Sequence, residues 1–285
     1  MRLDELAARQ FGVSVKEAAA LLMEGRVYRG EERLTTPGTR VPADTPLTLR
    51  EKARKFASRS GLKLERALSA FEVDPAGQTA CDIGASNGGF TDCLLQSGAA
   101  HVFAVDVAYG ILAWELRQDS RVSVLERTNA RRLTREQLAE AAGPDSPAGQ
   151  RALETGCDLV TCDVSFISLT KIFPAVDRVL GTQGACICLV KPQFEAPPKA
   201  LGKNGMVKDR GILPPLLLSI ADAAAQNGLF LQGLCVSPIR GTNGNVEFLS
   251  YFRREPGLSG EQRQALAVRV AAEEPGEPRE PVARP

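Results

Sequence analysis

The rhythm of apolar and polar positions changes along this chain. Between residues 78 and 252, short apolar runs alternate with stretches whose apolar residues recur every three to four positions. The runs are TACDI (79–83), HVFAVDV (101–107), VSVL (122–125), CDLVTCDV (157–164), GACICLV (184–190), LFLQGLCV (229–236) and VEFLSYF (246–252). Between most of them lie helical stretches: FTDCLLQSG (90–98), ILAWELRQD (111–119), TREQLAEAA (134–142), LTKIFPAVDRVL (169–180) and LPPLLLSIADAAAQNG (213–228). Near-continuous apolar strands alternating with helices predict a mostly parallel, doubly wound α/β sheet. The last two runs are joined by SPIRGTNGN (237–245) without a helix, which predicts an antiparallel end.

The first 50 residues read differently. Leu3, Leu6 and Ala7 recur at helical spacing, and Ser14 with Glu17 forms an S-x-x-E capping box for a second helix, VKEAAALLMEG, which Gly25 ends. Short strand-like pieces follow, RVYRG (26–30) and PLTL (46–49), with a turn-rich TTPGT between them. A small α+β unit of this kind has a thin core and reads as an appended recognition module, with Arg2, Arg9, Lys16, Arg26 and Arg29 around its helices. Net charge over the chain is +1, but residues 50–66 carry seven Lys/Arg against two Glu. That surplus, with Arg54, Lys55 and Arg59 in it, suits a polyanion. The expected organisation is a module over 1–50, a basic linker over 51–60, an α/β domain over 61–254, and a Glu/Pro/Arg-rich disordered tail over 255–285.

Composition removes other classes. Seven cysteines include no C-x-x-C pair, and Cys81, Cys162, Cys186 and Cys188 sit inside apolar runs. They read as small buried hydrophobes in a reducing compartment. With His101 the single histidine, a Cys/His zinc site is not expected. The N-terminus, MRLDELAARQF, has no apolar leader core, and no apolar run reaches the ~18 residues a membrane helix needs. A cytoplasmic protein is expected.

Candidate chemistry gathers at strand ends. The first strand of the α/β region runs into CDIGASNGGF (81–90), a glycine-rich turn before a helix, as in nucleotide-type pockets. Its spacing, G-x-x-x-G-G, is not the dinucleotide fingerprint G-x-G-x-x-G. Asp106 ends the second strand, where an acid suits a ribose hydroxyl pair; NAD and S-adenosylmethionine (SAM) both offer one. Asp163 follows the fourth strand in TCDVSF, without the Pro-Pro-aromatic that grips an exocyclic amine. Cys162 precedes it, so strand alternation turns that thiol to the opposite face. The fifth strand ends LVKPQFE, placing Lys191 where an uncompensated ammonium would be costly. Glu247 opens the last strand. A lysine between two carboxylates at the ligand edge resolves that cost.

Seven strands with a terminal antiparallel hairpin match the plan of class I SAM-dependent methyltransferases, whose sheet is Rossmann-like. SRSGLKLERAL, CDIGASNGGFTDCLLQSGA, VFAVDVAYGILAWELRQDSRV, ERTNAR, DVSFISL, LVKPQFE and SPIRGTNGNVEFL, in this order, closely resemble the TlyA (haemolysin A-like) family of ribosomal RNA 2′-O-ribose methyltransferases. The resemblance covers nearly residues 1–252. It implies a ribosomal-protein-S-four-like RNA-binding domain over 1–50 and an FtsJ-like methyltransferase domain after it. It implies a Lys-Asp-Lys-Glu tetrad of Lys63, Asp163, Lys191 and Glu247. It implies a SAM site of Asp82, Gly84, Ser86, Gly88, Phe90, Asp106 and Asn129, with no metal, and ribosomal RNA or ribosomal subunits as partner, cytidine being the implied target. Two positions depart: Asn87 stands where the family has threonine, and Ser60 where it has glycine. Ser60 is expected to restrict the backbone near Lys63. Three other readings stand beside this one: a non-catalytic RNA-binding or assembly protein, a cytolysin, and an NAD enzyme disfavoured by the glycine spacing.

Overall fold

The computed structural model describes residues 1–23, 25–50 and 55–276. The chain divides after residue 54 into two compact units. In the first, α1 (Leu3–Phe11) and α2 (Val15–Met23) precede a three-stranded antiparallel sheet of β1 (Val27–Arg29), β2 (Glu32–Leu34) and β3 (Thr48–Leu49), ordered β2-β1-β3. The expected capping box forms: the Ser14 amide donates to the Glu17 carboxylate at 2.9 Å, and the Glu17 amide donates to Ser14 Oγ at 3.2 Å. Gly25 follows α2 in the left-handed conformation, φ +67°. Leu3, Leu6, Ala7, Ala18, Leu22 and Val27 form the small core.

The second unit opens with α3 (Gly61–Ala70), β4 (Thr79–Ile83), α4 (Gly89–Gln96), β5 (His101–Val105), α5 (Trp114–Gln118) and β6 (Val122–Leu125). It continues with α6 (Arg135–Ala142), α7 (Pro147–Glu154), β7 (Cys157–Cys162), α8 (Phe173–Val179), β8 (Leu180–Val190) and α9 (Pro192–Glu195). It closes with α10 (Leu213–Ala225), β9 (Phe230–Val236), β10 (Phe248–Arg253) and α11 (Gly260–Ala272). The seven strands are ordered β6-β5-β4-β7-β8-β10-β9. Strands β6, β5, β4, β7 and β8 pair in parallel, while β10 runs antiparallel between β8 and β9.

Strand alternation divides the core into two layers. Cys81 and Ile83 of β4 face a cluster with Phe103, Phe173, Leu217 and Phe252. Ala80 faces one with Leu64, Phe90, Leu94 and Leu116. All seven cysteines are buried and unpaired, and the sulfurs of Cys162, Cys186 and Cys188 lie within 4.8 Å of one another in the first layer.

Several boundaries differ from the sequence reading. β10 begins at Phe248, one residue after Glu247, whose carbonyl accepts from the Ser237 amide at 2.9 Å. α7 was hidden in a Gly/Pro/Ser-rich stretch, yet its start is a standard one: Ser146 Oγ accepts from the Gly149 amide at 3.0 Å and Pro147 takes the first turn. The tail reading fails over Gly260–Ala272. Ser259 and Gln262 form a capping box, and Ala267, Val270 and Ala271 pack into the core beside α10 and β9. Average composition concealed these three apolar residues at helical spacing; residues 277–285 lie outside the described part. The linker reading fails over 55–60, because Phe56 is buried in the second layer of the core and the Ala57 amide donates to Asp92 at 2.7 Å.

Helix α11 supplies a direct test. Val270→Ala removes two buried methyl groups and should cost about 2 kcal/mol in urea unfolding. Val268→Ala, on the exposed side of the same helix, should change stability by less than about 0.5 kcal/mol.

Candidate active site

The carboxyl ends of the parallel strands collect the reactive groups. Asp163 follows β7 and is pinned by its own amide, which donates to the Ile83 carbonyl at 2.9 Å. Lys191 follows β8, and Pro192 turns the chain at once into α9. Lys191 Nζ lies 2.7 Å from Asp163 Oδ1 and donates to Ser165 Oγ at 2.8 Å. The contact with Asp163 is one of charge: Oδ1 is buried and receives no hydrogen bond. Each of the two side chains keeps only a small opening to solvent, 11% and 15%.

Lys63 and Glu247 form a second, drier pair. Lys63 lies in the first turn of α3, and its Nζ donates to Glu247 Oε2 at 2.5 Å, with both side chains under a tenth exposed. Gly241 makes room for this carboxylate, since a Cβ there would collide with Glu247 Oε1. The sequence reading set Lys191 between two carboxylates. The structure instead gives each lysine its own acid. Ser60 does not restrict the backbone: it takes ordinary helical angles, φ −63° and ψ −28°, and its hydroxyl lies 2.7 Å from that of Ser58.

Beside these pairs lies a cavity of about 500 Å³, a size that suits a small-molecule ligand. Gly84, Ser86, Asp106, Asn129, Asp163, Ser165 and Phe166 are among the residues that line it. Gly84, at φ +87°, allows the end of β4 to approach β7; a Cβ there would come 2.6 Å from the Asp163 carbonyl oxygen. Ser86, not Asn87, takes the strained angle of the turn, φ +50°. The Asn87 side chain donates instead to the Ile111 carbonyl at 3.2 Å. Asp106 Oδ2 accepts from the Ser86 amide at 2.8 Å and Oδ1 from the Ala108 amide at 2.8 Å. These bonds fix the carboxylate and leave each oxygen further lone pairs for a ribose diol. The donor set therefore fits SAM.

Three of the residues expected at this cofactor stand behind the wall instead. Phe90 is core. A Cβ on Gly88 would strike Leu116 and Leu112, so its role is close packing. Asp82 is fully buried, accepting from Thr91 Oγ1 at 2.7 Å and Thr161 Oγ1 at 3.0 Å. Burial pushes its carboxyl up to about 7, against the pull of those two hydroxyls. Sequence reasoning missed Val107, Ile111, Thr128 and Arg131, which line the cavity; each neighbours a chosen motif but carries no signal of its own.

Comparison with known proteins places this geometry. The FtsJ-like methyltransferase model matches residues 56–254, and the S4 domain model matches residues 1–45. The chain is 42% identical over 266 residues to the Bacillus subtilis protein YqxC, provisionally named an rRNA methyltransferase, covering 93% of this chain and 89% of that one. It is 39% identical over 274 residues to a Mycobacterium tuberculosis protein named 16S/23S rRNA (cytidine-2′-O)-methyltransferase TlyA, covering 95% and 97%. A solved structure from Streptococcus thermophilus, provisionally named a hemolysin, superposes with a TM-score of 0.68 at 35% identity, covering 95% of each chain.

The chain belongs to the TlyA family of FtsJ-like methyltransferases.

The cations expected to meet RNA differ in their exposure. Arg9 and Lys16 are exposed, Arg26 is half-buried, and Arg2 is held by Asp4 at 2.7 Å. Arg59 is exposed, Lys55 pairs with Glu65, and Arg54 lies outside the described residues. The surplus over 50–66 is smaller at the surface than in the sequence, because Lys63 is buried and Arg50 pairs with Glu31. Among the described residues, no helix is long and apolar enough to cross a membrane.

Two measurements follow from the site. Glu247→Ala leaves the Lys63 ammonium buried and alone, and should cost about 3–5 kcal/mol of stability, whereas the double variant Lys63→Met/Glu247→Leu should recover much of that loss. Asp82 ionises in the unfolded chain near 3.8 but in the folded protein near 7, so the folded state holds the proton longer. Its contribution to stability is present below pH 4 and is lost as pH rises toward 7. Unfolding of Asp82→Asn should lack that slope.

Proposed function

We propose that this protein methylates the 2′-hydroxyl of ribosomal RNA, with SAM as donor and a cytidine as target. The observation that carries the reading is the pairing of Lys191 with Asp163 at the carboxyl edge of the sheet, Asp163 lining a cofactor-sized cavity that Asp106 and Asn129 also line. Bound there, SAM supplies a methyl group on a cationic sulfur. Asp106 would hold the ribose diol of SAM, with Asn129 near its adenine, and Gly84 and Ser86 would let the main chain come close.

The protein's own task is to present one ribose oxygen. A 2′-hydroxyl is a poor nucleophile, and its oxygen gains negative charge as its proton leaves. Lys191 Nζ is the cation at that place, aimed by Asp163 and Ser165. A fixed charge in a site with little water stabilises the developing alkoxide without having to reorganise. Asp163 Oδ1, buried and 2.7 Å from Lys191 Nζ, holds that ammonium in place. Lys63 and Glu247, paired with each other at the foot of β10, complete the tetrad that the family resemblance implies. Phe166 is 91% exposed beside Asp163, its ring 5.2 Å from that of Phe194, and offers a face for the target base. The S4 unit, with Arg9 and Lys16, adds sequence-independent attraction to phosphates. The demand for a 2′-hydroxyl itself selects RNA over DNA.

Labelled methyl transfer from SAM to unmodified ribosomal subunits tests this reading. The wild type should label RNA at a cytidine that then resists alkaline cleavage. Lys191→Ala should lower the rate by roughly 100-fold or more while binding SAM normally. A folded, SAM-binding wild type that labels no subunit would overturn the assignment. Raising the salt concentration should weaken RNA binding steeply and leave SAM binding nearly unchanged.

A further inference from the structure

The segment from the end of β5 to the first residue of α5 exposes more large apolar surface than a free surface loop needs. Val107 is 69% exposed, Tyr109 67%, Ile111 37% and Trp114 69%. Val107 and Ile111 line the cofactor cavity, which accounts for them. Tyr109 and Trp114 do not line it, and the site described above leaves them without a task. Contiguous exposed apolar groups of this size mark an interaction surface.

The segment is held in place from several sides. The Gly110 amide donates to Glu126 Oε1 at 2.8 Å, and the Arg127 amide donates to the Ala108 carbonyl at 3.2 Å. Asn87 takes hold twice, through its side chain at Ile111 and through its carbonyl, which accepts from the Ala113 amide at 3.3 Å. The aromatics therefore stand on an ordered scaffold, and little further ordering is required when they bind.

The charge around them has one dominant sign. Arg127 lies 4.2 Å from the centre of the Tyr109 ring, and Arg131 and Arg132 are exposed after β6. Of the nearby acids, Glu126 is taken by Arg117, Asp119 by Arg121, and Asp106 accepts from the Ser86 and Ala108 amides, which leaves Glu115 exposed. Exposed aromatic faces interleaved with arginines are what an unpaired nucleic acid strand requires: bases stack on the rings and phosphates meet the guanidinium groups. A rigid duplex keeps its bases stacked on each other and gains nothing from the rings. A guanidinium already seated on the tyrosine ring leaves a cation beside the exposed aromatic face, where a phosphate next to a stacked base would lie.

We infer that Tyr109 and Trp114, with Arg127, Arg131 and Arg132, form a stacking platform for unpaired RNA flanking the target nucleotide. The inference rests on the reading of the protein as an RNA ribose methyltransferase and adds where the strand runs beside the cofactor. It makes Tyr109 and Trp114 residues that position substrate, with no part in methyl transfer itself.

Trp114 is the chain's single tryptophan, so intrinsic fluorescence reports on this surface alone. With the protein saturated in S-adenosylhomocysteine, a short unpaired cytidine-rich RNA should quench the emission, and a duplex of equal length should not. In the transfer assay, Tyr109→Ala and Trp114→Ala should each raise KM for ribosomal RNA by roughly tenfold, the scale of one stacked base. Turnover at saturation and SAM affinity should stay unchanged, and Trp114→Tyr should restore most of the loss. Equal quenching by duplex, no quenching by single strand, or unchanged KM in both alanine variants would overturn the platform while leaving the methyltransferase reading intact. Emission that shifts with protein concentration in the absence of RNA would overturn it in favour of self-association. Failure of the wild type to methylate RNA would remove the functional reading, and quenching by unpaired RNA would still decide the platform.

Discussion

Lys63 and Glu247 stand 184 positions apart and meet in a nearly dry contact. Neither charge is tolerable there alone. Desolvating an ammonium or a carboxylate costs several kcal/mol, offset only when the partner is close and well aligned. The pair therefore demands that the first helix of the second unit and the approach to its last strand be in register before either is stable. β10 is inserted between β8 and β9, so the Glu247 backbone arrives at the sheet's carboxyl edge beside the end of β8. Placing Lys191 and its acid within reach of that edge follows from the same insertion.

The second pair, Lys191 with Asp163, is less buried and keeps a route to solvent. The Lys63–Glu247 pair, with both side chains under a tenth exposed, ties α3 to the approach to β10. The side chains of Lys191 and Asp163 keep 11% and 15% exposure, so the Lys191 ammonium is reachable from the cavity side of the edge. Gly84 is what makes the arrangement compact, since only an absent Cβ allows the glycine turn to lie against the Asp163 carbonyl. Asp82 then acts beneath the turn, tying β4 to α4 and β7 through two threonine hydroxyls.

The binding surface of the second unit is layered outward from this centre. The cavity wall is built from the loops after β4, β5, β6 and β7, as expected where parallel strands end and connections diverge. Phe166, which lines the cavity, and Tyr109 and Trp114, which do not, carry exposed aromatic surface. Buried thiols lie inside the sheet's core layers, where they fill space as small apolar groups.

Much of this was legible in the sequence, for identifiable reasons. Apolar runs and their alternation with helices gave the sheet, because a parallel strand buried on both faces must be apolar throughout. Asp163 and Lys191 could be found because a charge at the end of such a run has few structural explanations. The capping box at Ser259 was equally readable but was masked by the polar composition around it. Lys63 was found only through resemblance, since a lysine in an amphipathic helix looks like any solvated one until the fold sets an acid against it. Tertiary structure alone decided the pairing of the four charges, the retreat of Asp82, Gly88 and Phe90 behind the cavity wall, and the exposure of Tyr109 and Trp114. Local pattern fixes which face of an element is apolar; which groups meet across it depends on strand order, and strand order is set by contacts between residues far apart in the chain.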